Sequence, residues 1–197
     1  MKWIKQELVR RAQEIDQLLE DFLPSENDYP PAIHQAMRYS VLAGGKRLRP
    51  ILVMASAETV GGNLRSVQPV AVALEFIHTY SLIHDDLPAM DNDDFRRGKP
   101  TCHKIFGEAA AILAGDALLT LAFEVLADEI ENPPTAVQMV RVLAKAAGPA
   151  GMIAGQIKDL ESQGTEGTMS QLQSIHLCKT GQMFAAAAEL GAIAGGA

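Results

Sequence analysis

One short segment combines clustered acids with paired arginines. Residues 82–100 read Leu-Ile-His-Asp-Asp-Leu-Pro-Ala-Met-Asp-Asn-Asp-Asp-Phe-Arg-Arg-Gly-Lys-Pro, which places acids at Asp85, Asp86 and Asp91 ahead of Arg96 and Arg97. Carboxylate oxygens suit Mg²⁺, which usually bridges protein carboxylates to substrate phosphates. Guanidinium groups offer planar, permanently charged forks to the same phosphate oxygens. The segment therefore predicts a site that holds metal ions and a polyanionic phosphate together.

The spacing of the acids requires an irregular backbone. In a regular helix Asp85 and Asp91 would point about 120° apart, so they converge only if the helix is distorted, and Pro88 lies between them. A solvated acidic loop is the alternative interpretation. The apolar run 76–83 that leads directly into the acids favours a site at the end of a packed helix.

The segment resembles the first aspartate-rich motif of the trans-isoprenyl diphosphate synthases, the family of farnesyl and geranylgeranyl diphosphate synthases. Its form is Asp-Asp-x4-Asp followed by Arg-Arg-Gly-Lys-Pro. Further motifs match in the family's order, so that the resemblance covers the chain from about Pro31 to its last residue. They are Gly44-Gly45-Lys46-Arg47-Leu48-Arg49-Pro50, Phe106-Gly107-Glu108 with Gly115-Asp116-Ala117-Leu118-Leu119, Gly155-Gln156-Ile157-Lys158-Asp159-Leu160, and Lys179-Thr180-Gly181.

Composition narrows the class of protein. A net charge of −7 and a pI near 5.2 argue against nucleic-acid binding, which needs a basic face. The two cysteines, Cys102 and Cys178, suggest no disulfide framework and favour a reducing cytoplasm. The N-terminus lacks the apolar core of a signal peptide. Asp116 and Glu124 interrupt the longest apolar stretch, so we expect no membrane span.

Helical periodicity predominates along the chain, and alternating strand patterns are absent. We predict a single all-α domain over residues 1–197. The first predicted helix is ended by Pro24, the second covers Pro31 to Leu42, and the third begins at Pro50. A long helix then runs from about Ser66 to the acids. Further helices are predicted at about Gly107–Ile130, at Thr135–Ala147, around Gln156 and Asp159, and, after a loop at Gln163–Thr168, from Ser170 to the C-terminus. The resemblance implies a helical bundle around a central cavity.

The resemblance also implies a reaction. Family members ionise the C–O bond of an allylic diphosphate, add isopentenyl diphosphate to the resulting cation and release a proton. It assigns Mg²⁺ to Asp85 and Asp91, where the metal stabilises charge on the leaving group. Asp86 is either a further ligand or a residue that supports the ligands, and we expect Asp93 and Asp94 to cap or solvate the loop.

Two sets of residues match the family's substrate contacts. The resemblance places isopentenyl diphosphate against Lys46, Arg49, His78 and Arg97. A lone histidine on an apolar helix is usually a satisfied core residue, but His78 matches the family motif Glu75-Phe76-Ile77-His78. We interpret His84 as a residue of local packing or one that supports the ligands. The allylic diphosphate corresponds to Arg96, Gln156, Lys179 and Thr180, and a helix kink near Gly181 would let the Thr180 carbonyl stabilise a cation.

Product length is expected to depend on Tyr80, which lies five residues before Asp85, about 7.5 Å along the helix. In the family, bulk at this place stops the growing chain. The resemblance is therefore to bacterial farnesyl diphosphate synthases, and geranylgeranyl diphosphate synthase is the alternative. Tyr80 could equally be a core aromatic.

The family's second aspartate-rich motif is not found in this sequence. We therefore expect an N-terminal portion of a longer synthase that lacks the C-terminal helices and is inactive alone. A homodimer is implied by resemblance only. The rival hypotheses are a non-catalytic subunit of the same fold and a metal- or phosphate-binding module. A terpene cyclase would not need the second basic site at Lys46 and Arg49.

Overall fold

Helices account for nearly all the regular structure in the computed structural model, which describes residues 2–164 and 166–197. This confirms the all-α prediction. In chain order the elements are α1 (Lys2–Phe22), α2 (Pro31–Val41), α3 (Leu48–Thr59), α4 (Leu64–Asp85), β1 (Phe95–Arg96), β2 (Lys99–Pro100), α5 (Cys102–Phe106), α6 (Glu108–Glu129), α7 (Pro133–Ala147), α8 (Met152–Ser162), α9 (Met169–His176), a π-helical turn (Leu177–Gly181) and α10 (Gln182–Ala194).

Local sequence explains where several helices begin. Proline occupies the first position of α2 and α7, where its missing N–H costs no helical hydrogen bond. The Asn132 side chain accepts a hydrogen bond from the Thr135 N–H at the start of α7. Thr168 and Gln171 form a reciprocal capping box at the start of α9, which satisfies amide groups that the helix itself cannot.

Five features differ from the sequence-based expectations. Helix α3 begins at Leu48, two residues before Pro50, and α4 begins at Leu64. The prediction missed α5 and the hairpin in which Phe95 pairs with Pro100, because two-residue strands carry no periodic signal. The predicted C-terminal helix is interrupted by the π-helical turn. In the predicted loop 163–168, Thr165 lies outside the described residues.

The chain divides into two compact units. The first unit comprises the residues up to Ile51 together with Ala71–Val125, and the second comprises Leu52–Val70 with Leu126–Ala197. Fully buried side chains of the first unit include Ile15, Leu19, Phe76 and Leu118. Those of the second include Val53, Met139, Leu143 and Leu190.

Small residues allow close helix packing in the second unit. Gly191 of α10 lies directly against the Val53 carbonyl of α3, and Gly155 of α8 lies against the Lys179 backbone in the π-helical turn. A side chain at either glycine would collide with backbone atoms. The glycines therefore set the approach distance of these helices.

Helix α6 is long and apolar enough to cross a membrane when judged by length and composition alone. Core helices of soluble proteins pass the same test. Asp116 and Glu124 interrupt its apolar sequence. Cys102 and Cys178 are both free thiols.

Candidate functional site

The acidic segment forms a tight turn at the end of α4. The helix ends at Asp85, and the Asp91 N–H donates a hydrogen bond of 2.8 Å to the Asp85 carbonyl. The Asn92 N–H donates to the Leu87 carbonyl at 3.1 Å, and Asn92 has a left-handed φ of 54°. Pro88 lies within this turn. The chain thus returns on itself and brings the backbones of Asp85 and Asp91 together, which a continuous helix would not do.

Asp86 has a different role from its neighbours. Its side chain is buried, and it accepts bonds from Arg96 Nε at 2.8 and 2.9 Å and from Arg96 Nη2 at 2.6 Å. The hydrogen bond to Asp86 raises the pKa of Arg96. Both partners hold the hairpin against the end of α4. The structure therefore places Arg96, predicted to contact the allylic diphosphate, in an ion pair with Asp86.

Asp93 and Asp94 stabilise the same loop, as expected of capping residues. The Thr101 hydroxyl donates to the Asp93 carbonyl at 2.8 Å. The Asp94 side chain forms an ion pair of 2.8 Å with Lys104, and that hydrogen bond lowers the pKa of Asp94. These contacts join the loop to α5.

The donor set at the turn fits Mg²⁺. Among the described residues no three metal-ligating side chains are clustered. Asp85 and Asp91 are hard oxygen donors whose backbones are joined by a hydrogen bond. Mg²⁺ is usually held by one or two carboxylates and completes its shell with waters and substrate phosphates. Two carboxylates are therefore sufficient for this ion.

The predicted isopentenyl diphosphate residues come together in the first unit. Burial and, after it, the charges of Arg49 and Arg97 together lower the pKa of His78 to about 3. Burial also lowers the pKa of Arg49 and of Arg97, and the charge of Arg97 lowers the pKa of Arg49 as well. Lys46 is exposed and lies three residues before Arg49 in the sequence. The result is a concentration of positive charge with a neutral imidazole, which suits a polyanion.

Sequence reasoning missed Arg47 and Glu75. The Arg47 side chain is fully buried, and its Nη1 donates to Glu75 Oε1 at 2.7 Å. Glu75 is itself buried on α4. A signal was present, because Glu75 interrupts an otherwise apolar stretch of α4 and a buried acid requires a partner.

The remaining predicted residues lie in the second unit. Lys179 Nζ forms an ion pair of 2.7 Å with Asp159 Oδ2, which joins the π-helical turn to α8. Thr180 is exposed within the same turn. Gln156 Nε2 is buried and has no hydrogen-bond partner among the described residues. The irregular backbone predicted near Gly181 is present as the π-helical turn, a feature often found at functional sites.

Tyr80 and His84 pack on each other along α4. Their rings meet edge to face with centroids 5.8 Å apart, and Tyr80 is buried. His84 Nε2 lies 3.0 Å from the Ile112 carbonyl, and its ring contacts Gly115. His84 is therefore engaged in local packing between α4 and α6, as the sequence analysis proposed.

Curated relatives are identical to this chain at about half of the aligned positions. The large subunit 1 of a heterodimeric geranylgeranyl pyrophosphate synthase from Arabidopsis thaliana is 50% identical over 96% of this chain and 52% of the relative. A farnesyl diphosphate synthase from Geobacillus stearothermophilus is 53% identical over 85% of this chain and 58% of the relative. The chain thus spans about half the length of the curated relatives it matches.

Solved structures and the family profile agree with these relatives. A geranyltransferase from Legionella pneumophila superimposes with a TM-score of 0.92 at 43% identity, over 98% of this chain and 69% of that one. An FPP/GFPP synthase from Zymomonas mobilis gives a TM-score of 0.90 at 44% identity, over 97% and 70%. The polyprenyl synthetase profile matches residues 30–197. The chain belongs to the polyprenyl synthetase family.

Proposed function

We propose that the protein is a Mg²⁺-dependent prenyltransferase that condenses isopentenyl diphosphate with dimethylallyl or geranyl diphosphate. The observation that carries the proposal is that the first unit contains both a basic cluster, formed by Lys46, Arg49 and Arg97, and a turn that carries Asp85 and Asp91. Two phosphate-binding elements suit a reaction of two diphosphates. The named relatives, which are farnesyl and geranylgeranyl diphosphate synthases, support this class.

The turn at the end of α4 would hold the allylic diphosphate through metal. Asp85 and Asp91 would be the ligands, and bound Mg²⁺ supplies Lewis-acid stabilisation of the departing diphosphate. Arg96, fixed by Asp86, adds fixed positive charge beside these acids. Because Arg96 is already oriented, it needs no rearrangement when negative charge develops on the departing diphosphate. This favours ionisation of the allylic substrate.

The basic cluster would hold isopentenyl diphosphate. Arg49 and Arg97 present guanidinium forks that suit phosphate oxygens, and Lys46 adds an exposed ammonium. His78 is neutral, so its imidazole can donate one hydrogen bond to a phosphate oxygen. Nucleophilic attack by the alkene follows only when both diphosphates are bound.

The second unit carries the other residues that the family resemblance assigns to the allylic substrate. Lys179 carries a positive charge that suits a diphosphate, and Asp159 fixes its ammonium. Thr180 and Gln156 supply polar groups of the same unit. The family resemblance assigns the Thr180 carbonyl to stabilising a cation, and Thr180 lies in the π-helical turn, a type of irregularity frequent at functional sites.

We infer farnesyl diphosphate as the main product, with geranylgeranyl diphosphate as the alternative. The buried Tyr80 supplies bulk below Asp85 on the same helix. Both product classes occur among relatives of about 50% identity, so product length rests on Tyr80 and its surroundings.

We propose a cytoplasmic homodimer as the working form. Ile112 and Leu113 of α6 are exposed apolar side chains, at 43% and 58% of their maximal accessibility. Adjacent exposed aliphatic groups are typical of a protein interface. The free thiols of Cys102 and Cys178 are compatible with a reducing compartment.

Product formation from radiolabelled isopentenyl diphosphate tests the function. The assay contains dimethylallyl or geranyl diphosphate and Mg²⁺, and it compares this chain with a chimera in which the unmatched remainder of the Geobacillus stearothermophilus relative follows it. We expect Mg²⁺-dependent farnesyl product from the chimera. A folded chimera that binds diphosphate without turnover would instead support the phosphate-binding module, and one with neither property would support a non-catalytic subunit.

A further inference from the structure

The loop between α2 and α3 has an unusual backbone. Gly44, Gly45 and Arg47 have φ values of 82°, 149° and 48°. Positive φ is accessible to glycine, but it is strained for an arginine. Such a conformation persists only where surrounding contacts enforce it. The loop matters because Lys46 lies within it and Arg49 follows on the first turn of α3.

Arg47 receives these enforcing contacts from three helices. Its Nε donates to Asp16 Oδ1 of α1 at 2.8 Å. Its Nη1 donates to Glu75 Oε1 of α4 at 2.7 Å, and its Nη2 donates to the Val41 carbonyl of α2 at 2.7 Å. We call Asp16, Arg47, Glu75 and the Val41 carbonyl the Arg47 junction. All its members belong to the first unit.

The loop in turn determines where Arg97 can lie. A Cβ atom at Gly45 would come within 2.7 Å of Arg97 Nη1 and 2.8 Å of its Cζ. The Arg97 guanidinium therefore packs directly on the Gly45 backbone. Movement of the loop would displace Arg97 as well as Lys46 and Arg49.

The three basic side chains of the loop segment therefore differ in role. Lys46 is exposed and Arg49 is partly exposed, whereas the Arg47 side chain is fully buried and bonded on all three of its nitrogens. Because the Arg47 side chain is fully buried and three of its five N–H groups are bonded within the protein, it does not face solvent, where a diphosphate would bind. The resemblance assigned Arg49 and not Arg47 to a diphosphate, but it gave no role to Arg47.

We propose that Arg47 is a positioning residue: its junction with Asp16 and Glu75 holds the loop that presents Lys46, Arg49 and Arg97 to a diphosphate. This inference rests on the proposed function. It also gives α1 a role, because Asp16 of α1 is part of the junction. Asp16 lies outside residues 30–197, the span that the family profile matches.

A charge-preserving substitution tests the junction. Arg47→Lys retains one positive charge, but a single ammonium cannot reach the three acceptors in the geometry of the guanidinium fork. We expect the Kd of inorganic diphosphate, measured by calorimetry well below the unfolding temperature, to rise at least tenfold. In the active chimera the KM for isopentenyl diphosphate should rise similarly, with little change in the KM for the allylic substrate.

Arg38→Lys is the matched control. Arg38 of α2 bonds to Glu20 and to backbone carbonyls such as that of Leu23, and none of these lies in the basic cluster. Its substitution should change the diphosphate Kd less than twofold. A folded Arg47→Lys protein with wild-type affinity would overturn the inference, because a merely stabilising residue would lower the unfolding temperature without altering the affinity of the folded protein.

Asp16→Asn gives a second, milder test if Arg47→Lys fails to fold. Asp16 is partly exposed and supplies one of the three contacts, so we expect a Kd increase of about threefold to tenfold, and an unchanged Kd would contradict the proposal. The NMR amide resonances of Gly44 and Gly45 should also shift in both variants. These resonances report on the loop conformation even if the wild-type protein binds no diphosphate. Absence of diphosphate binding by the wild-type protein would refute the proposed function, but it would leave the Arg47 junction standing.

Discussion

At the residue scale, burial is the main cause of the low pKa of His78, and the neighbouring arginines add to it. His78 lies on α4, largely buried, with its pKa lowered to about 3 by burial and then by Arg49 and Arg97. The unfolded chain gains a proton near the ordinary value of about 6.5, whereas the folded protein does not. Folding stability is therefore lost as the pH falls from about 6.5 towards 3.

His78→Gln should flatten this pH dependence. Between pH 7.5 and pH 5 the wild-type free energy of unfolding should fall by about 2 kcal/mol more than that of the variant, as proton linkage requires. Urea denaturation at the two pH values measures the difference. His176→Gln, at an exposed position in α9, is the control. Identical pH dependence in wild type and His78→Gln would show that His78 is protonated in the folded state.

Tyr80→Ala should lengthen the main product from farnesyl to geranylgeranyl diphosphate. The substitution removes a buried ring below Asp85 and opens space along α4. Chromatography of the products from the active chimera measures this. Tyr29→Ala, at a residue that is 94% exposed, should leave the product unchanged. If Tyr80→Ala also leaves it unchanged, Tyr80 is a core aromatic without influence on chain length.

At the element scale, packing of α8 on the π-helical turn holds the second unit's polar residues. Lys179 and Asp159 join the two elements through their ion pair. Because both side chains are partly exposed, that pair alone contributes little to stability. The close approach at Gly155 contributes more, since Gly155 leaves no room for a side chain against Lys179.

Gly155→Ala should therefore destabilise the protein by about 1–3 kcal/mol, as expected when a packed interface is overfilled. Gly167→Ala is the control, because a Cβ atom there meets nothing within 4 Å, and surface substitutions of this kind usually change stability by less than about 0.5 kcal/mol. Equilibrium unfolding in urea measures both. Equal stability of the two variants would mean that α8 can move away from the turn at little cost.

At the scale of the whole molecule, the proposed homodimer depends on the exposed face of α6. Leu113→Glu places a carboxylate among apolar side chains, and burying that charge in an interface would be costly. We expect the wild-type protein to be dimeric and the variant monomeric by light scattering. Dimerisation should weaken at least hundredfold, about 3 kcal/mol.

Val137→Glu is the control for Leu113→Glu, since Val137 is an equally exposed aliphatic residue, at 59%, on α7. It should leave the dimer intact. A dimeric Leu113→Glu protein would place the interface elsewhere, and a monomeric wild-type protein would remove the homodimer from the proposal.

The sequence by itself determined the family, the helical class and most helix limits of this protein. Motif spacing such as Asp-Asp-x4-Asp and helix signals such as Pro31 act locally, so they can be recognised without knowledge of distant contacts. The chemical types of the candidate site residues were visible for the same reason.

Only the tertiary structure decided what the neighbours of the assigned site residues are bonded to within the protein. Asp85 and Asp86 are adjacent acids, yet Asp86 is buried against Arg96. Arg47 and Arg49 belong to one motif, yet Arg47 is bound to Asp16 and Glu75, which lie 31 and 28 residues away in sequence. Burial of a charge depends on partners that folding brings from elsewhere in the chain, and local spacing does not contain that information.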